Sequence, residues 1–243
     1  MKLIKLNAID STNDFLKKMS QNQELENFTV VLAETQNKGK GQQGAKWLSE
    51  PGKNLITSIL ISNTISDIRG VFLLNISVAL SIIEALKTLK IPSLHIKWPN
   101  DIMSENKKIA GILIESLIKE KGKIESIVGI GLNVNQTKFE DLTKASSLKN
   151  ITDKEFDIEY ILNKIVTELK LNIEKILFNQ EAYLWENYHK WLYKKGTPMA
   201  FENEQGERFM GIIQGVNKDG KLEIILENDL VKQYGIKEIK MLY

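Results

Sequence analysis

Apolar and polar residues alternate over residues 2–9, which predicts a first strand. Ser11, Thr12, Asn13 and Asp14 then offer helix-capping side chains ahead of Phe15, Leu16 and Met19. Residues 28–34 and 54–61 read as further strands, the latter reached through a Pro51-Gly52 turn. Over 71–89 the apolar positions switch to helical spacing, with Leu74, Val78, Ile82 and Leu86 on one stripe. Residues 94–135 are strand-rich, with turns at Glu105-Asn106 and Lys121-Gly122. Helical spacing returns over 157–178 and continues over 181–194, where Tyr183, Trp185, Tyr188 and Trp191 predict core or domain-interface packing. Short glycine-punctuated strands fill the rest, so the chain divides into residues 1–194 and a small all-β unit over 195–243.

Composition narrows the function classes. With 243 residues the chain can bury a full core, and 42% hydrophobic with 26% charged residues is ordinary for a globular protein. The absence of cysteine excludes disulfides, thiolate metal sites and a cysteine nucleophile. Residues 1–10 lack an apolar signal core and no stretch approaches the length of a membrane span, which predicts a cytoplasmic protein with no membrane partner. A net charge of +2, spread along the chain, argues against nonspecific nucleic-acid binding. His95 and His189, far apart, make a poor metal site.

The segment Gly39, Lys40, Gly41, Gln42, Gln43, Gly44 follows a strand and precedes Lys46 and Trp47. Glycines let backbone N–H groups curl around an anion, and the lysine suits a phosphate or carboxylate. A flexible surface turn fits the same letters. A dinucleotide fold would need a helix directly after the loop, but Trp47, Pro51 and Gly52 lead into another strand. A kinase-type glycine loop would need a lysine on the strand that follows, and residues 54–61 have none; nor does any His-Arg-Asp or Asp-Phe-Gly run occur downstream.

Two other segments carry chemistry. Lys97-Trp98-Pro99-Asn100-Asp101 sets a cation, an aromatic face, an amide and a carboxylate at a strand end. Lys108-Ile109-Ala110-Gly111 opens the return strand, placing Asp101 and Lys108 across one short hairpin with room for a ligand beside the small residues. In Gly129-Ile130-Gly131-Leu132-Asn133-Val134-Asn135 the two amides could read a heterocycle edge or satisfy a turn.

The glycine loop with Trp47, the Lys97–Asp101 run, Lys108–Gly111 and Gly129–Asn133 stand in the order and spacing of the biotin protein ligases, and Ser11-Thr12-Asn13 resembles that family's early signature. The resemblance covers nearly the whole chain. It implies an α+β fold: a mixed β-sheet backed by helices, like the class II aminoacyl-tRNA synthetase catalytic domain, with a small C-terminal Src-homology-type β-barrel. It implies an enzyme using ATP and biotin as substrates with Mg2+, which makes biotinyl-AMP and transfers biotin to a lysine of the biotin carboxyl carrier domain of a carboxylase.

On that resemblance, Lys108, Lys97, Asp101 and Lys40 are the catalytic set, with Asp101 a magnesium or lysine-orienting carboxylate. Ser11, Thr12, Asn13, Gln36, Gly39, Lys40, Gly41, Lys108, Gly111 and Gly131 would contact biotin. Gln42, Gln43, Gly44, Trp47, Asn100 and Asn133 would face the nucleotide.

The chain departs from the family at the loop. Where many biotin ligases carry arginines at its second and fourth positions, this one has Lys40 and Gln42, losing a planar fork and a charge. The Ser11 signature follows a single strand, which leaves no room for the helix-turn-helix domain of family members that act as repressors; no specific DNA partner is expected. Edge strands near the active face suit either a homodimer or carrier docking. The rival readings are a lipoate or octanoate protein ligase and a non-catalytic biotin or nucleotide sensor.

Overall fold

In the computed structural model, residues 2–65, 67, 70–119, 122–140 and 142–243 are described, with the side chain of Gln43 excepted. The predicted turn residue Lys121 lies outside them. The chain order is β1 (Leu3–Ile9), α1 (Thr12–Asn22), β2 (Val30–Gln36), a short 3-10 turn (Gln42–Gly44), β3 (Leu55–Ser62) and α2 (Val71–Thr88). Then come β4 (His95–Lys97), β5 (Asp101–Ser104), β6 (Lys107–Ile118), β7 (Ile124–Leu132), α3 (Leu148–Thr152), α4 (Ile158–Leu177) and α5 (Glu181–Trp191). Five strands finish the chain: β8 (Pro198–Asn203), β9 (Arg208–Val216), β10 (Leu222–Leu226), β11 (Val231–Tyr234) and β12 (Ile239–Leu242).

The first seven strands form one sheet in the order β1-β2-β3-β7-β6-β5-β4. Only β1 and β2 run parallel; every other neighbour pair is antiparallel, so the sheet is mixed as expected. Strand alternation sorts its residues onto two faces. Ile112, Ile114, Val128, Ile130 and Leu132 point to the main core, shared with α2, α4 and α5. On the opposite face, Leu60 and Ile127 pack with Leu16 of α1 in a smaller cluster.

Helix α2 corrects one sequence expectation. Val71–Thr88 has a mean hydropathy of 1.7 over 18 residues, long and apolar enough to cross a membrane, yet 72% of it is buried inside the protein. It is apolar all round because it packs with the sheet, α4 and α5. Within it, Ser77 and Ser81 spend their hydroxyls on the carbonyls of Leu73 and Ser77, which lets polar residues sit there without unsatisfied groups.

The last five strands make an antiparallel sheet in the linear order β11-β10-β9-β8-β12. It is the expected small all-β unit; among the described residues no ladder joins β11 to β12, so it curls without closing by hydrogen bonds. Phe201, Phe209 and Tyr234 stack on one another at 5.5 and 5.8 Å. The hydrophobic core continues unbroken into this unit through Met199, Phe201, Ile213 and Leu222.

The aromatics of α5 serve that junction. Trp185 stacks on Phe72 of α2 at 5.9 Å, and Phe72 lies against Gly220 of the small unit. Trp98, read from sequence as an aromatic face for a ligand, is 5% exposed and donates its indole N–H to the Gly220 carbonyl at 2.9 Å. Its principal bond is therefore a structural anchor between the two units.

His189 of α5 completes the junction: its Nε2 lies 3.0 Å from both the backbone N–H and the carbonyl of Val216, accepting from the one or donating to the other according to the tautomer. Burial holds His189 below the ordinary histidine range, with Lys195 adding to it and the Val216 carbonyl and Glu223 opposing. A base whose folded pKa is depressed stabilises the fold above its unfolded value and loses that contribution as the proton enters. Thermal stability is therefore expected to fall as pH drops below roughly 6.5. His189→Gln, which can still accept from Val216, should flatten that slope in melts run between neutral and mildly acidic pH; an unchanged slope would remove His189 as its source.

Candidate active site

Register builds the site. Lys97 pairs with Asp101, Asp101 with Gly111, Gly111 with Gly131, and Gly131 with Ile56. Five residues drawn from five strands thus stand in one row across the sheet, on the α1 face. The next row holds Leu113, Gly129 and Ser58.

Two glycines side by side leave a bare patch of backbone. The Trp47 indole lies directly on it: any Cβ at Gly131 would overlap the ring, and one at Gly111 would stand 3.3 Å from Trp47 Cζ3. Trp47, expected to face the nucleotide, rests on this floor, with its indole N–H buried and unpartnered among the described residues. Gly129 makes the same kind of room for the Asn13 side chain.

Lys108 reaches this face by a β-bulge. Simple alternation would send it to the core side with Ala110 and Ile112, but the β5–β6 register slips between Ile102 and Met103. The reset aims the ammonium group at Asp101, with Nζ–Oδ1 at 2.6 Å, while the backbone N–H of Lys108 donates to the Lys144 carbonyl at 2.8 Å. Lys97 Nζ lies 3.9 Å from the other Asp101 oxygen. Burial lowers the pKa of Lys97, and Asp101 only partly restores it.

A polar network fixes the start of α1. Ser11 accepts from Asp14 N as the helix N-cap. The Gln36 side-chain oxygen accepts from Thr12 N at 2.7 Å and Thr12 Oγ1 at 3.0 Å. Ser58 Oγ lies 2.8 Å from Thr12 Oγ1 and 2.6 Å from Asn13 Oδ1, sharing its one proton between them. Asn13 Nδ2 donates to Glu115 at 2.8 Å. The expected substrate contacts Ser11, Thr12, Asn13 and Gln36 are thus already bonded to one another or to the scaffold, while still lining the cavity.

In the glycine loop, Lys40 pairs with Asp14 at 2.6 Å, and that hydrogen bond holds Lys40 above the usual lysine range. Lys40 and Lys46 bridge across the loop, and the Gly39 carbonyl accepts from Trp47 N at 3.0 Å. The loop is therefore a flap folded back on itself and tied to α1 through Lys40 and Asp14.

Beneath it lies a cavity of about 190 Å³. It is lined by Ser11, Thr12, Asn13, Gln36, Lys40, Gly41, Gln42, Trp47, Asn100, Asp101, Lys108, Gly111 and Gly131, so most of the sequence-predicted residues converge. Gly39 and Gly44 line the outer groove on the far side of the flap, and the side chain of Gln43 lies outside the described residues. Lys97 lines a second cavity of about 280 Å³ together with Lys237 and Lys240, adjoining the first through Gln42 and Asn100. Asn133 stands apart: its amide is buried and donates to the Ser146 carbonyl at 3.0 Å, holding the loop before α3.

Sequence reading missed Ser58, Glu115 and Asp14. Glu115 carried a usable signal, a charge four residues after Gly111 in an apolar strand and hence on the same face. Ser58 carried none. Among the described residues no group of three or more histidine, aspartate or glutamate side chains could hold a metal, and Asp101 is the lone carboxylate lining the cavity.

Chemically, the row offers two lysines around one carboxylate beside a partly open cavity whose glycine floor carries the Trp47 indole. That arrangement can bring two anions together and shield what they form.

Residues 6–135, more than half of the chain, match the family described as "Biotin/lipoate A/B protein ligase family". The chain is 27% identical to the bifunctional ligase/repressor BirA of Escherichia coli over 97% of its own length and 73% of the relative's. It is 26% identical to a biotin--[acetyl-CoA-carboxylase] ligase of Mycobacterium tuberculosis, covering 87% of this chain and 79% of that protein. Among solved structures, the biotin protein ligase of Aquifex aeolicus in complex with biotin and ATP superposes with a TM-score of 0.82 at 28% identity, covering 99% and 98% of the two chains. With its sheet, its glycine flap and its lysine–aspartate row all lying in or beside the matched segment, the chain belongs to the biotin/lipoate A/B protein ligase family.

Proposed function

We propose that this protein is a biotin protein ligase. It activates biotin with ATP and passes the biotinyl group to a lysine of a carboxylase's carrier domain. The observation that carries the reading is the Lys108–Asp101 pair beside a cavity whose floor is Gly111, Gly131 and the Trp47 ring that lies on them.

In the first step the biotin carboxylate oxygen attacks the α-phosphorus of ATP; the bond to the β-phosphate breaks and pyrophosphate leaves. Repulsion between carboxylate and triphosphate is the first obstacle. Lys108 sits where it can neutralise both, and Lys97 and Lys40 lower the potential on either side. Asp101 holds Lys108 aimed at the cavity. Its single carboxylate suits a magnesium ion that enters on the nucleotide phosphates, a metal that takes one or two protein carboxylates and neutralises phosphate charge.

In the second step the carrier's lysine amine attacks the acyl carbon and AMP leaves. No enzyme nucleophile is needed, in keeping with a chain that has no cysteine. The flap over the cavity keeps water from the acyl-adenylate between the steps. Gln42 and Asn100, which line both cavities, are the residues we assign to the nucleotide, and Thr12, Asn13 and Gln36, which line the first alone of the two, those we assign to biotin. We assign catalysis to residues 1–194 and closure of the site's far side to 195–243.

Pyrophosphate release measured with biotin, lipoate and octanoate tests the reading, followed by the mass of a carrier domain incubated with ATP, magnesium and each acid. Biotin-dependent release and a carrier heavier by one biotinyl group are expected. Release with lipoate or octanoate alone would move the chain to the other branch of its family.

Gly131→Ala tests the floor. The added methyl must displace the Trp47 ring, an overpacking penalty of about 1–3 kcal/mol, so biotin should bind roughly tenfold more weakly and the tryptophan emission should shift. Unaltered biotin titration would show that Trp47 does not shape the binding surface.

A further inference from the structure

The small C-terminal unit reaches into the catalytic row at one residue. Tyr243 follows β12, and its ring centroid lies 4.9 Å from Lys97 Nζ and 4.1 Å from Lys144 Nζ. Lys144 also donates to the Tyr243 main-chain carbonyl, and its own carbonyl accepts the backbone N–H of Lys108. Tyr193 packs edge-on to the same ring at 5.5 Å and is itself tied to Asn106 by its hydroxyl at 2.9 Å. Tyr243 is thus strapped to both lysines of the row, through its ring to Lys97 and through Lys144 to the backbone of Lys108.

The physical need is plain. Lys108 takes the short bond to Asp101, which leaves Lys97 a carboxylate oxygen at 3.9 Å and a largely buried ammonium group. An aromatic face within about 6 Å of a desolvated cation attracts it through the ring quadrupole without neutralising it. Burial and the Asp101 charge both raise the pKa of the Tyr243 hydroxyl, with Lys108 opposing, so the ring is a neutral phenol in the field of the catalytic pair.

We propose that Tyr243 is a positioning residue for biotin activation: its ring holds the Lys97 ammonium charged and in the Lys97–Asp101–Lys108 row, so the small unit acts on the first half-reaction. This rests on the ligase reading above.

The test is single-turnover formation of biotinyl-AMP by the full chain, recording burst amplitude as well as rate constant. Tyr243→Leu should slow the rate constant about fivefold to thirtyfold, the converted worth of one largely desolvated contact of this kind, with the amplitude and the KM for biotin unchanged. Tyr243→Phe, which keeps the ring, should retain at least about half the wild-type rate, since the hydroxyl supplies little of a ring-face attraction. In a Lys97→Gln background the leucine substitution should have almost no further effect, because coupled residues are not additive.

Equal rates for Tyr243→Leu and wild type would overturn the proposal. So would a lost amplitude at unchanged rate constant, which marks a folding role, or the same penalty with and without Lys97. Absence of any adenylate from the wild-type protein would instead refute the ligase reading, and this proposal with it.

Discussion

Lys108→Ala is expected to lower the rate of biotinyl-adenylate formation by about two to three orders of magnitude, the usual loss when a pre-aimed charge-stabilising donor is removed. The reason is the position of its ammonium group. It lies 2.6 Å from Asp101 at the cavity wall and 5.7 Å from the Trp47 ring on the floor, between the proposed seats of the two anions. Lys97 cannot replace it, because Lys97 opens onto the adjoining cavity. Lys108→Arg keeps the charge but trades a point donor for a wide planar fork, so it should recover only part of the loss. The fold should survive, since the side chain is partly exposed and Asp101 retains Lys97 as a partner. Adenylate formation near the wild-type rate in a folded Lys108→Ala protein would end the proposed mechanism.

The second large effect runs the other way. Gln42→Arg is expected to slow release of the adenylate by about ten- to a hundredfold, because a hydrogen bond to a charged group contributes about 1.5–3 kcal/mol. Gln42 lines both cavities, where a cation would meet the phosphate of the intermediate. The neighbouring Lys40 is bonded to Asp14 and so does not supply that charge freely. Trapping of released adenylate by a competing amine measures the rate. An unchanged rate would mean that Lys46, which lines the same cavity, already provides the missing charge.

How much of the site was legible depends on the residue. Ala110 and Gly111 were marked as room for a ligand and Gly131 as a biotin contact; the register pairs the two glycines across β6 and β7 under Trp47, whereas Ala110 turns to the core. The lysine run was read as chemistry, but Trp98 within it proved to be an anchor for the small unit, because its indole N–H finds the Gly220 carbonyl more than a hundred residues away. Asn133 was read as a nucleotide contact or a turn, and its one described side-chain bond is to the Ser146 carbonyl. Local letters cannot tell such cases apart, since a buried polar group takes whichever partner the fold brings to it.

Ser58 and Tyr243 show the same limit from the other side. Ser58 is an unremarkable polar residue in an apolar strand until β3 lies beside α1, where it becomes the shared partner of Thr12 and Asn13. Tyr243 carries no motif, and only the docking of the second sheet sets its ring against Lys97.

By itself the sequence determined the elements, their order and the chemical inventory: period-two and period-3.6 patterns, capping residues, turn residues and an ordered set of family motifs are all local, and local sterics and burial read them directly. Tertiary structure alone decided which of those groups meet. Strand register set Lys97, Asp101, Gly111, Gly131 and Ile56 in one row, and one bulge turned Lys108 onto that row's face. Register and bulges follow from how whole strands pack and pair, a sum over many distant contacts that no single stretch of chain contains.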